Sequence, residues 1–185
     1  MYNIIILNHF YGHPALEDEC SNKQRYAKLL KLIDIVHKDN TIFLENDTWK
    51  KDRKLADIKD ISLIRGQKWI EYNDEQSIDE ILQNIYKIYN IEINSNNSYI
   101  ILGGTNTAGC LLRTAKIAAK NWLRKNYDVQ FCLSICTDYE MDALSTVDKN
   151  QMATAILYTF LKDSNYIEKT DVVYDPRELK TYKIG

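Results

Sequence analysis

Residues 99–119 read YIILGGTNTAGCLLRTAKIAA, and the interpretation of the chain grows out from them. Tyr99-Ile100-Ile101-Leu102 is a short apolar run of the kind that enters the centre of a sheet. Gly103-Gly104 is expected to end that strand. A polar turn follows, and a helix begins near Ala108. That helix carries Leu111, Leu112, Ala115, Ala118, Ala119, Trp122 and Leu123 at helical spacing. Cys110 falls in its first turn. The orphan N–H groups there stabilise an anion and lower a thiol's pKa. They can also hold the oxyanion of a tetrahedral intermediate. The opposing reading is a buried, inert thiol, the commoner fate of a free cysteine. Position alone leaves both readings open.

Short apolar runs alternate with amphipathic segments on either side of this stretch. Ile4 to Leu7 reads as a buried strand, and Ser21 as the cap of a helix running to about Lys38. Thr41 to Leu44 is a strand and Lys68 to Tyr72 a weaker one. Ser77 to Tyr89 is a helix with Ile78, Ile81, Leu82, Ile85 and Ile88 on one face. Asn94 to Asn97 is a polar turn. Val129 to Leu133 is a strand, Asn150 to Leu161 a helix, and Asp171 to Tyr174 a last strand. This alternation predicts a three-layer α-β-α, Rossmann-like α/β fold with a mostly parallel sheet of about six strands. Ligands of such sheets sit at the carboxyl ends of the strands. The candidate edge is therefore Asn8, Asp47, Tyr72, Thr105 to Cys110, and Thr137.

Composition narrows the function. The chain has 185 residues, enough for one full-sized core, and residues 1–185 are expected to form a single domain. Gly and Pro number only 6 and 2, so no linker stands out. With 24 basic and 26 acidic residues, the basic excess of a nucleic-acid-binding domain is missing. The basic run from Lys50 to Lys54 reads as a solvated face. The run Ile4 to Leu7 is too short for a signal peptide or membrane span, so a cytoplasmic location is expected. Cys20, Cys110, Cys132 and Cys136 form no Cys-x-x-Cys pair and match no zinc spacing, which suits free thiols.

The central stretch resembles the isochorismatase-like cysteine hydrolases, the isochorismatase/nicotinamidase superfamily. Their pattern is a strand, then Gly-Val-x-Thr-x-x-Cys, then a helix opening Val-x-x-Thr-Ala. Here it reads Gly104-Thr105-Asn106-Thr107-Ala108-Gly109-Cys110, then Leu111-Leu112-Arg113-Thr114-Ala115. Asp128-Val129 and Ile135-Cys136-Thr137-Asp138 resemble the family's next strand and its Asp-Ala-Cys-Ala-Asp-like turn. The likeness runs from about residue 98 to 160. Before that it rests on element order and the first strand.

The resemblance implies a catalytic set of Asp, Lys and Cys. Cys110 takes the nucleophile's place, and water resolves its covalent intermediate. The oxyanion donors would be the backbone N–H groups of Asn106 and Cys110. A cis peptide would join Thr105 to Asn106. Two positions depart from the family. Asn8 stands where the family Asp closes the first strand, and an amide cannot accept a proton as a base. Tyr72 stands at the family lysine. Lys68 shares its strand face but lies about 13 Å further back, at roughly 3.3 Å per residue. The segment Asp47-Thr48-Trp49 lacks the histidine of the nicotinamidase metal motif, so no metal and no cofactor are expected. His9 and His13 flank the site and are candidate substitute bases. His37 reads as a solvated histidine late in the first helix.

Two functions follow. One is a cysteine hydrolase acting on a small amide or related carbonyl compound through a Cys110 thioester. The other is a catalytically degenerate member that binds a small molecule or serves as a protein-interaction or assembly module. The family commonly self-associates, so a homo-oligomer is expected, with part of the abundant tyrosine (13 residues) at its interface. Tyr86, Tyr89, Tyr158 and Tyr166 read instead as semi-buried helix or loop residues.

Overall fold

The computed structural model describes residues 1–8, 30–36, 38–46, 66–73, 75–105, 116–137, 170–173 and 176–180. Six strands run in it: β1 (Tyr2–Asn8), β2 (Thr41–Asn46), β3 (Lys68–Tyr72), β4 (Ser98–Thr105), β5 (Asp128–Thr137) and β6 (Thr170–Val173). Their order is β3-β2-β1-β4-β5-β6 and every pairing is parallel. The described helices are α1 (Ile78–Tyr89) and α2 (Lys116–Arg124), with a further helical segment at residues 30–35. The expected Rossmann-like α/β fold is therefore present.

Both faces of the sheet are covered, which explains the unbroken apolar runs in its centre. One face sends Ile4, Ile6, Ile42, Leu44, Ile100 and Leu102 into a core with Ile81 and Ile85 of α1 and Trp122 and Leu123 of α2. The other sends Ile5, Phe43, Ile101 and Cys132 against Leu32, Val36 and Leu179. Three layers result. Leu179 is held there by Gln130, whose buried amide brackets the next residue. The Lys180 N–H donates to Gln130 Oε1 at 2.6 Å, and Gln130 Nε2 donates to the Lys180 carbonyl at 2.8 Å.

α1 begins with a capping box. Ser77 Oγ accepts from the Glu80 N–H, and the Glu80 carboxylate accepts from the Ser77 N–H. It ends at Asn90 in the left-handed region, φ 55°. The Asn94–Asn97 turn is also present, with the Asn94 N–H donating to Asn97 Oδ1 and Ser98 Oγ to the Asn94 carbonyl.

Several boundaries differ from the sequence reading. Gly103-Gly104 does not end β4, which continues to Thr105. Both glycines pair on β1, Leu7↔Gly103 and Asn8↔Gly104, and Gly104 pairs with Cys136 on β5 as well. Neighbours on each side outweigh the strand-breaking tendency of glycine. Between Leu102↔Phe131 and Gly104↔Cys136 the register shifts, because β5 spends more residues than β4 there. This bulge carries β5 past Leu133 to Thr137. β2 likewise runs on to Asn46, and β6 spans Thr170–Val173, with Tyr174 outside the described residues. The first helical segment stops at residue 35, and Lys38 lies in a 3-10 turn, Lys38–Asn40.

Ile88 is not on the buried face of α1 but 61% exposed, and Tyr86 is exposed too. The step of four from Ile85 reaches Tyr89, which turns inward instead and packs against the core. The helix near Ala108 is described only from Lys116, and the Asn150–Leu161 helix lies outside the described residues.

Candidate functional site

The connections out of β1 and β4 leave in opposite directions, since β2 lies to one side of β1 and β5 to the far side of β4. In open parallel sheets a crevice opens at such a reversal, beyond the carboxyl ends of the two strands. Here that place is the pair Asn8↔Gly104, with Cys136 in register on the next strand and Thr105↔Thr137 one step beyond. On the other flank, Leu7 pairs with Glu45 and Glu45 with Glu71, and one step further Asn46 pairs with Tyr72. The ends of β3, β2, β1, β4 and β5 thus form one edge. It holds Tyr72, Asn46, Asn8, Gly104 and Cys136.

Four predicted site positions therefore fall on one edge: Asn8, Tyr72, Thr105 and Thr137. Asn8 and Tyr72 are separated by two strand spacings, about 10 Å between backbones. Tyr72 is half-buried and packs against the helix-side core beside Ile70. His9, His13, Asp47, Asn106 and Cys110 lie outside the described residues, as do the Thr105–Asn106 peptide and His37. Cys110 follows the end of β4 by five positions in the sequence.

Lys68 is at the other end of the sheet. It opens β3, and its Nζ donates to the Asp39 carbonyl at 2.7 Å, in the 3-10 turn that precedes β2. Among the described strands Lys68 is the only basic residue. No described strand therefore brings a cation to the carboxyl edge.

Glu45 lies just beyond the Thr41 to Leu44 strand expected from the sequence. It is 2% exposed, on the face opposite Tyr72, one residue from the end of β2. An acidic residue directly after an apolar strand run is the signal that marks it. Among the described residues no three His, Cys, Asp or Glu side chains stand close enough together to hold a metal ion. Among them, too, no helix is long and apolar enough to cross a membrane.

No protein-family model matches the chain. No curated protein matches it either. Among solved structures, the chain is similar to the MAR1 ribonuclease of Caenorhabditis elegans. That similarity has 12% sequence identity and a TM-score of 0.44 over 95% of this chain and 77% of the other.

Proposed function

We propose that this chain is a catalytically degenerate protein of the isochorismatase-like type that binds a small amide or related carbonyl compound at the carboxyl edge of its sheet. The observation that carries this reading is the placement of Lys68. Its ammonium is engaged on the Asp39 carbonyl at the amino end, while Tyr72 closes the strand, where the resemblance would put the family's lysine. Without the family's lysine beside it, the Cys110 thiol would lose one cause of a pKa below the ordinary value of about 8.5. Asn8, in place of a carboxylate, can orient a ligand by hydrogen bonding but cannot take the thiol proton. The ligand carbonyl would be held by the N–H groups of Asn106 and Cys110.

A hydrolase is the second reading. It is favoured by the pairing of Asn8, which His9 follows in the sequence, with Gly104 on the strand that precedes Cys110. In that reaction the Cys110 thiolate adds to the amide carbon, and the amine leaves with a proton carried by His9 or His13. Water then cleaves the thioester to the acid and regenerates the thiol.

The deciding experiment is the pH dependence of Cys110 alkylation, with Cys110→Ser as the blank, run beside a screen for release of amine from small amides. The binding reading expects a thiol with an ordinary or raised pKa and no Cys110-dependent release. Turnover that vanishes in Cys110→Ser overturns it in favour of the hydrolase.

A further inference from the structure

We propose that the hydroxyl of Tyr89 seals the outer edge of the sheet against the addition of another strand, including one from a second copy of this chain. β3 is the last strand on its side among the described residues. In a parallel strand alternate residues turn both main-chain groups toward the same side, so an outermost strand offers a ladder of donors and acceptors. At Trp69 that ladder is already used. The Trp69 N–H donates to Tyr89 Oη at 2.8 Å, and Tyr89 Oη donates to the Trp69 carbonyl at 2.6 Å. One hydroxyl thus plays both parts that a residue of a neighbouring strand would play.

The seal is rigidly mounted. Tyr89 is the last residue of α1, whose other end is fixed by the Ser77–Glu80 box and whose middle is anchored by fully buried Ile85. The ring of Tyr89 packs against the core. Substituting phenylalanine would keep that packing and remove only the hydroxyl. β3 spans just five residues and carries exposed Glu71 two positions on, and both features also discourage edge pairing.

The test uses the full chain and Tyr89→Phe, with hydrogen exchange at the Trp69 amide and sedimentation velocity over a range of concentrations. In the wild type the Trp69 amide should exchange slowly, unlike a solvent-facing edge amide. Exchange as fast as in an open loop would overturn the proposal without any variant. In Tyr89→Phe that protection should fall by about tenfold or more, and a heavier species should grow with concentration. Adding Glu71→Pro, which removes an N–H on the same side of β3, should abolish the heavier species. A Tyr89→Phe protein that keeps Trp69 protected, or sediments as the wild type does, overturns the seal.

Discussion

Lysine in place of Tyr72 would bring an ammonium to the carboxyl edge, its stem lying along the core surface that the tyrosine ring now covers. A cation within about 6 Å of a thiol lowers its pKa by roughly one unit or more. Tyr72→Lys is therefore expected to shift the alkylation profile of Cys110 to lower pH, and an unmoved profile would mean the two positions do not face one another. Lys68→Met should behave unlike the loss of a catalytic lysine. It removes one exposed hydrogen bond at the far end of the sheet, costs less than about 1 kcal/mol, and leaves the Cys110 profile where it was. The place of Tyr72 was legible from the sequence because polar Asn73 follows it and the Ser77 helix cap stands five residues on. The partner of Lys68 was not, because Asp39 stands 29 residues away in a turn that the sequence does not align with β3. Glu45 escaped for a related reason: a carboxyl inside a sheet contradicts the expectation that acids lie outside.

At the start of α1, the Glu80 carboxyl lies below its ordinary value of 4.5, first through the Ser77 backbone N–H and then through its hydroxyl. A group whose pKa is lowered on folding adds stability above its unfolded pKa. That contribution is lost as pH falls through the folded value. Urea unfolding across the acid range should therefore show part of the stability fading below pH 4.5. Ser77→Ala should weaken that part without abolishing it, since the backbone N–H, the larger cause, stays, and near neutral pH it should cost about 1 kcal/mol through the lost cap. At the other end of α1, Tyr89→Phe removes the partner of two main-chain groups of Trp69, at a cost of about 1–3 kcal/mol measurable by the same unfolding. The helix itself was plain in the sequence, from its cap and its buried positions 78, 81 and 85. Its last turn was misread, because Ile88 is apolar by composition while Tyr89 has both a ring to bury and a hydroxyl to place. The run through Gly103-Gly104 was misread for a different reason. Glycine is a poor strand residue in isolation, and only the pairing with β1 and β5 shows that nothing local decides there.

Across the whole molecule, the parallel sheet and its two covered faces follow from the alternation of short apolar runs with amphipathic helices, and that much was readable in advance. The closure of the second face by residues 176–180 was not, since it depends on a buried glutamine meeting main chain 50 residues away. Gln130→Ala should release this strap, at about 1–3 kcal/mol for the main-chain groups it leaves unsatisfied. Protease cleavage between residues 176 and 180 should rise with it. The nearby Lys180–Asp171 pair is exposed and secures little on its own. Its hydrogen bond to Asp171 is the first cause raising the Lys180 pKa above 10.5. By linkage that small contribution is complete below pH 10.5 and disappears as pH rises through the folded value. The placement of β1 has a consequence for biosynthesis. β1 is one of the two central strands, yet its second neighbour, β4, pairs with it from Ser98 onward. A ribosome adding roughly 5–20 residues per second leaves one side of Ile4–Leu7 without β4 for several seconds. During that interval the most apolar segment of the nascent chain is a ready target for chaperones or for neighbouring chains on the same message. Slower decoding between β1 and β4 should therefore lower the soluble yield more than the same delay placed after β5.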